Sequence, residues 1–381
     1  MLTLDASAVR DRRRRIIELA NRGSADDRFL TELTRQLRSL IPFDGVFITA
    51  ADPVTALAVA PARVENLGDD ATCVAYWNAE YLADDFALFR EISRARHPAA
   101  SLFRATGGRM ERSVRYRTVN QVLGYGDELR AVFRSDDATW GFASLWRRDG
   151  HDPFSVAEER LLAGLSAPIA AAFRRTALLH PAIDVPSLQA PGLLMFDELG
   201  GLEALNEPAE AWLAELPGPR FTHGMACTLP TAILTVSARA RALAVGRDRG
   251  AARARIHTRA GRWLVVHGSG LRGEHGANGR VALVIEPARA SEIAPIIVEA
   301  YQLTHREQEI TRLISYGCST DEIASRLGLS RHTVRDYIKV IFEKVGVGSR
   351  GELVARIFAE HYAPSLHERL VDNDGDADLS A

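Results

Sequence analysis

Lysine is nearly absent from this chain. Of the 47 Lys and Arg residues in its 381 positions, only Lys339 and Lys344 are lysine. A phosphate loop of the GxxxxGK[ST] kind needs a lysine after its glycines, and none precedes Lys339. Schiff-base chemistry on an upstream lysine is disfavoured in the same way. Cysteine is scarce too. Cys73, Cys227 and Cys318 are far apart, odd in number and form no CxxC. That points to thiols in a reducing cytoplasm and away from a disulfide framework or a Cys-based zinc site. The eleven histidines form no HxxH, HxxxH or HExxH pair, and no GxSxG elbow occurs. No apolar run approaches the ~20 residues of a membrane span. The basic run Arg12–Arg15 leads into Glu18, Asn21 and Arg22, which interrupt any signal-peptide core. Net charge is −2, so no global basic field announces a polyanionic partner. The expectation is a cytoplasmic protein without catalytic residues, metal or cofactor.

What the chain does have is a dense set of helix signals near its C-terminus. Thr304 with Glu307 is a capping box, followed by Ile310, Leu313 and Ile314 at helical spacing. Ser319 with Glu322 is a second box, before Ile323, Ala324 and Leu327. Gly328 supplies a turn, and Ser330 caps a longer helix with Val334, Ile338, Ile341 and Val345 on one face. Ser349 with Glu352 is a third box, before Leu353, Val354 and Ile357. The two middle helices, joined at Leu327–Gly328–Leu329, read as a helix-turn-helix whose second helix enters a DNA major groove. Opposite the apolar stripe of that helix lie Arg331, His332, Arg335, Asp336 and Lys339, with Lys344 and Arg350 near its far end. Cations neutralise phosphate, and long polar side chains reach base edges. That both lysines fall on one short helix reads as a preference for a slim point charge there.

This segment resembles the LuxR-type (NarL-type) helix-turn-helix of bacterial transcription regulators. The residues that carry the likeness are Leu303–Thr304–x–Arg306–Glu307, Gly317, Glu322–Ile323–Ala324, Leu327, Ser330, Thr333–Val334, Lys344, Gly346–Val347, Ser349–Arg350 and Glu352–Leu353. The resemblance implies that Arg335, Asp336 and Lys339 face bases, and that Thr333, Lys344 and Ser349 lie near the DNA backbone. Tyr337 stands where the family usually has His. Asp336 brings an acid to a groove-facing position, where it accepts a hydrogen bond from cytosine or repels phosphate. From Tyr301 to Tyr362 there are nine basic and eight acidic side chains, a net of +1. So weak a charge implies that one copy binds DNA poorly and that a homodimer is needed. With the resemblance in hand, the missing lysines also exclude the large ATP-binding regulators and the response regulators that share this tail.

Upstream, residues 7–21 read as a helix with its arginines outward. Ser24 opens a second, with Phe29, Leu30, Leu33, Leu37 and Leu40 as its buried stripe and Pro42 as its end. Strands are expected at 45–51 and 55–61, around an Asp52–Pro53 turn. An aromatic-rich helix or broken helix covers 71–95, a strand-like ASLFRAT follows, then a helix near 109–122. A hairpin of 128–135 and 139–147 turns at Asp136–Asp137, and Ser155 with Glu158 caps one long helix to about 178. This order suggests an α+β domain with an antiparallel sheet and resembles a GAF-type sensory domain. Past a Pro-rich stretch, two strands, two helices and three strands (252–258, 262–270, 280–287) look like a PAS-type domain.

The fold class expected is therefore multidomain. It comprises an α+β GAF-like domain (1–179), a linker (180–191), an α+β PAS-like domain (192–288), a connecting helix (289–302), an all-α four-helix LuxR-type helix-turn-helix (303–362) and a disordered acidic tail (363–381). Helices 155–178 and 289–301 are candidate dimer elements, with packing inside the chain as the competing reading. Gly268–Gly273 fits GxGxxG after a strand, but another strand follows, so a hairpin loop is preferred over a dinucleotide site. Trp77–x–x–x–Tyr81 resembles part of the acyl-homoserine-lactone pocket of quorum-sensing regulators, without its Asp-Pro; an aromatic stripe packed in a core is preferred. Trp77, Tyr81, Tyr116 and Trp140 are the candidate walls if a pocket exists. The function expected is a sequence-specific regulator binding double-stranded DNA, gated by an unidentified small molecule or protein effector. A quorum-sensing receptor, a module whose helix-turn-helix contacts protein, and an enzyme with a regulatory tail are the alternatives.

Overall fold

The computed structural model describes residues 6–22, 25–67, 69–135, 138–179, 190–218, 229–273 and 276–359. Residues 180–189 of the expected linker (180–191), the Asp136–Asp137 turn, Ser24, Cys227 and the acidic tail lie outside the described residues. Contacts divide the chain into two units, 1–179 with 187–287, and 180–186 with 288–381.

The first unit begins with α1 (Ala6–Arg22) and α2 (Asp27–Leu40), then β1 (Gly45–Asp52) and β2 (Leu57–Glu65). The crossover carries α3 (Asp70–Leu82), α4 (Phe89–Ile92), β3 (Ala99–Ser101), α5 (Leu102–Ala105), a 3-10 turn (Met110–Arg112) and a π-helical turn (Tyr116–Asn120). The hairpin β4 (Tyr125–Ser135) and β5 (Ala138–Arg148) follows, then α6 (Val156–Ala163) and α7 (Ser166–Leu179). The five strands form an antiparallel sheet in the order β2-β1-β5-β4-β3. A second antiparallel sheet is built from β6 (Gly192–Phe196), β7 (Leu202–Leu205), β8 (Arg253–His257), β9 (Trp263–Gly273) and β10 (Gly276–Pro287), with α8 (Glu207–Glu215) and α9 (Thr231–Ala244) between β7 and β8. Its order, β7-β6-β10-β9-β8, repeats that of the first sheet with every strand number raised by five.

The two sheets are joined by α9. That helix packs on β9 and β10 on one side and on β2 and α3 on the other. Ten of its residues are buried, including Thr235, Ser237 and Arg241. A helix buried on all sides must satisfy its polar groups locally. The Thr235 hydroxyl donates to the Ala58 carbonyl at 2.9 Å, and Arg241 donates to the Asn78 side chain. Beside it, the β2 and β8 edges meet. There Asp52 accepts from the Arg255 backbone N–H at 3.0 Å and from its guanidinium at 2.9 Å, with both side chains no more than 1% exposed. The same Asp52 holds the β1–β2 turn by accepting from Val54 N–H.

The structure corrects several sequence expectations. The cap of α2 is Asp26, which accepts from Phe29 N–H at 2.8 Å. ASLFRAT is strand only to Ser101, because the buried Asp127 carboxylate takes the Ser101 hydroxyl and the Phe103 N–H, both at 2.9 Å, and bends the chain into α5. The expected helix at 109–122 is two short turns, since Arg115 N–H is drawn to Asp85 at 2.7 Å. The Ser155 box forms, but the long helix breaks at Gly164. Ser166 then bonds both the Val132 carbonyl and the Arg134 N–H of β4. Both candidate dimer helices bury apolar residues within the chain, Leu162, Ile169 and Phe173 in one and Ile293, Ile296 and Ile297 in the other.

The GxGxxG stretch is strand rather than loop, for a packing reason. A Cβ on Gly268 would lie 2.9 Å from Val236 and 3.0 Å from Ala240, both on α9. Glycine therefore lets α9 lie against β9. Gly268→Val is expected to lower stability by about 1–3 kcal/mol through overpacking, seen as a lower thermal midpoint of the full chain. An unchanged midpoint would show that this contact yields freely.

Candidate nucleic-acid interface and a cavity between the sheets

The second unit contains α10 (Ala290–Ala300), α11 (His305–Ser315), α12 (Thr320–Leu327), α13 (Arg331–Val345), α14 (Arg350–Val354) and a π-helical turn (Ala355–Ala359). Local chemistry sets its boundaries. Thr304 and Ser319 form reciprocal boxes with Glu307 and Glu322. Ser349 caps α14, but Glu352 reaches back to Gly348 N–H at 2.8 Å instead of closing a box. Gly328 ends α12 at φ 62° and Gly346 ends α13 at φ 74°, left-handed caps that glycine takes without strain. Ile310, Ile314, Ile323, Val334, Ile341 and Leu353 are among the residues of one buried cluster.

That cluster orients α13. Val334, Ile338, Ile341 and Val345 are buried, so Arg331, His332, Arg335, Asp336 and Lys339 point outward. Tyr337, at the family's usual His position, is half-buried and packs on the cluster. The candidate contacts then divide by what already holds them. Arg331 is ion-paired with Asp321 across the turn. His332 Nε2 lies 3.7 Å from Asp336. Thr333 shares a 2.8 Å hydrogen bond with Ser330 at the cap. Lys344 turns inward, donating to Glu307 at 2.6 Å and to the Gln302 carbonyl at 3.0 Å. Arg350 donates to the Cys318 carbonyl and the Thr320 hydroxyl at 2.8 and 2.9 Å. Arg335 and Lys339, one turn apart on the exposed face, make no hydrogen bond or ion pair among the described residues. They are the two cations on α13 free to meet phosphate or base.

The four aromatic candidates do not gather around one cavity. Trp77 and Tyr81 stack at 6.2 Å, Tyr116 sits half-buried on the π-helical turn, and Trp140 is buried in β5. The interior beside α3 is filled by charge. Arg115 donates to Glu128 at 2.6 Å. Arg130 donates to Glu128 at 2.8 Å and to Glu80 at 2.6 Å. Asp85, the carboxylate that follows Trp77 and Tyr81, lies 3.7 Å from Arg115. Burial pushes the Glu128 carboxyl up, but the two arginines outweigh it and hold it at about 2. Burial wins at Glu80, whose carboxyl is raised. No motif spacing announces this network. Its one sequence trace is the pair Glu128 and Arg130 on alternate positions of a strand whose other face is Leu129 and Ala131.

A cavity of about 150 Å³ lies where the sheets meet. Phe47, Tyr76 and Trp77 line it from the first sheet region, and Ala232, Leu234 and Ile256 from the second. Trp77 is the one sequence candidate on its wall. Among the described residues no three His, Cys, Asp or Glu side chains gather as a metal site, and no helix is long and apolar enough to cross a membrane.

A family model described as bacterial regulatory proteins, luxR family, matches residues 301–357. The chain is 45% identical over 58 residues to the transcriptional regulatory protein DesR of Bacillus subtilis, which covers 15% of this chain and 29% of DesR. It is 40% identical over 55 residues to the spore germination protein GerE of Bacillus subtilis, covering 14% of this chain and 74% of GerE. The crystal structure of Escherichia coli SdiA aligns over 91% of this chain and 96% of its own at 12% identity, with a TM-score of 0.34. The chain thus spans less than a third of DesR's length.

The Glu307–Lys344 pair yields a stability prediction. Burial works to raise the Glu307 carboxyl, but the bonds from Lys344 and Thr304 N–H prevail and hold it below its ordinary 4.5. A depressed carboxyl stabilises the fold above its unfolded pKa, and that contribution is lost as pH falls below about 4.5. Lys344→Ala is expected to cost roughly 1–3 kcal/mol by leaving a buried carboxylate unpaired. Glu307→Gln should flatten the acid limb of a thermal midpoint against pH curve. An unaltered acid limb would rule the pair out as its source.

Proposed function

The chain belongs to the luxR family of bacterial regulatory proteins, and we propose that it is a homodimeric, DNA-binding transcription regulator of the cytoplasm. Each copy lays α13 in a major groove of double-stranded DNA, with Arg335 and Lys339 as its groove-facing cations and Arg331, His332, Thr333, Asp336 and Ser349 at the margins. The observation that carries this is the contrast among the cations of α13 and the start of α14. Lys344 and Arg350 are bonded to their own chain, whereas Arg335 and Lys339 are exposed and uncommitted. The net of nine basic minus eight acidic residues over 301–362 supports two copies on two half-sites.

In this reading residues 1–179 are a GAF-like and 192–288 a PAS-like sensory domain, with 180–191 as linker and 289–302 as connecting helix. The helix-turn-helix spans 303–362, and 363–381 is an acidic tail. Support for the sensory assignment is the repeated strand order of two antiparallel sheets with helical crossovers. An effector, small molecule or protein, shifts the dimer between arrangements of different DNA affinity. Against the acyl-homoserine-lactone variant stands Asp85, which is committed to Arg115.

The test begins with selection of bound sequences from genomic DNA by the full-length protein. A salt titration on the best site follows. Paired half-sites roughly 34–36 Å apart are expected, with a steep loss of affinity as salt rises. Arg335→Ala and Lys339→Ala should each cost about 1–3 kcal/mol of specific binding while the thermal midpoint holds. Unchanged affinity in both variants refutes α13 as the reading helix. A shallow salt dependence favours a protein partner instead.

A further inference from the structure

We propose that the cavity between the two sheets is a binding site for a small, uncharged, mostly apolar molecule of single-ring size, and that this molecule is the effector. The proposal rests on the reading of the chain as an effector-gated regulator. Size is the first argument. A cavity of about 150 Å³ holds a molecule about as large as benzene. Chemistry is the second. Phe47, Tyr76 and Trp77 present ring faces and edges from one side, and Leu234 and Ile256 aliphatic surface from the other. The charged lining residue, Asp69, is turned to its own helix, accepting from Thr72 N–H at 3.0 Å and from the Thr72 hydroxyl at 2.9 Å. The Tyr76 hydroxyl is shared with Ser144 at 2.8 Å. The lining offers no cation and its carboxylate is committed to the helix cap, so an anionic ligand would enter without a counter-charge. Thr231 lines the cavity and its hydroxyl has no partner among the described residues, which leaves room for one hydrogen bond to the ligand. Val64, on the lining, is 49% exposed.

Position is the third argument. The walls come from β1, β2 and α3 of one sheet region and from α9 and β8 of the other. A molecule there touches both at once and binds best when they are seated together. It therefore stabilises that arrangement by its differential affinity, the requirement for any gating ligand. A site inside either sheet region alone would lack this property, and the interior beside α3 is taken by the Arg115–Glu128–Arg130–Glu80 network.

The experiment is a thermal-midpoint titration of the full-length protein with toluene, phenol and benzoate, paired with DNA affinity on the selected site. Toluene and phenol at tenfold excess over Kd are each expected to raise the midpoint by about 2–5 °C, phenol with the lower Kd, and benzoate is expected to leave it unchanged. Ala232→Leu, which fills the cavity from α9, should abolish the shift while keeping the ligand-free midpoint. Ala62→Leu, from β2, serves if the first variant does not fold. The proposal is overturned if neither apolar probe shifts the midpoint, if benzoate shifts it equally, or if the shift survives in a folded filled variant. These outcomes leave DNA binding untouched. Failure to bind any DNA sequence would instead remove the regulator reading while a probe shift stood.

Discussion

Helix α9 is shared by two sheets, and the first unit depends on that sharing. Its sequence, TAILTVSARARALA, has small residues where backbones approach and a hydroxyl, that of Thr235, where a neighbouring carbonyl needs a donor. Gly268 on β9 gives it room, and Ala58 on β2 accepts from Thr235. Beside it the Asp52–Arg255 pair is withdrawn from water. A buried pair contributes little net stability against a hydrophobic alternative, but breaking one half of it is expensive. The arrangement therefore penalises partial separation of the sheets more than it rewards their contact. Two regions with the same strand order, which would be expected to fold as independent modules, share one compact unit.

If the chain is gated by an effector as proposed, the shared helix bears on where that effector acts. An effector buried in one module would have to transmit its presence across a joint. A molecule at the seam acts on the joint itself. The charged interior of the first sheet region fits the same picture. Three carboxylates and two guanidinium groups fill the volume beside α3, so its aromatic residues serve as packing, with Tyr76 and Phe89 stacked against Arg130.

The C-terminal helices were legible in the sequence because their signals are local. Thr304, Ser319, Ser330 and Ser349 each cap a helix, and Gly328 and Gly346 each end one, within a few residues of the groups they satisfy. Legibility stopped at partners. A helical wheel says that Lys344 leaves the buried stripe, but not that Glu307, thirty-seven positions earlier, waits for it. The same limit applied upstream. Asp52 reads as turn punctuation, and only the fold brings Arg255 to it. Ser155 and Glu158 announce the start of a helix correctly, yet the break at Gly164 follows from Ser166 meeting β4, a contact with no sequence signature. The network around Glu128 was invisible because its members are spread from Glu80 to Arg130 and belong to four separate segments.

The shortage of lysine has a practical side. One of the two ammonium groups is engaged with Glu307, and the other stands on the open face of α13. Side-chain amines elsewhere do not exist to compete. Of the two side-chain amines, Lys339 is therefore the one uncommitted to a partner among the described residues and open to an acylating reagent. Loss of that one charge would register on the exposed face of α13, the face that the proposed function assigns to DNA. The composition of the chain thus concentrates its amine reactivity on a single helical turn, which makes that turn addressable by chemistry as well as by mutation.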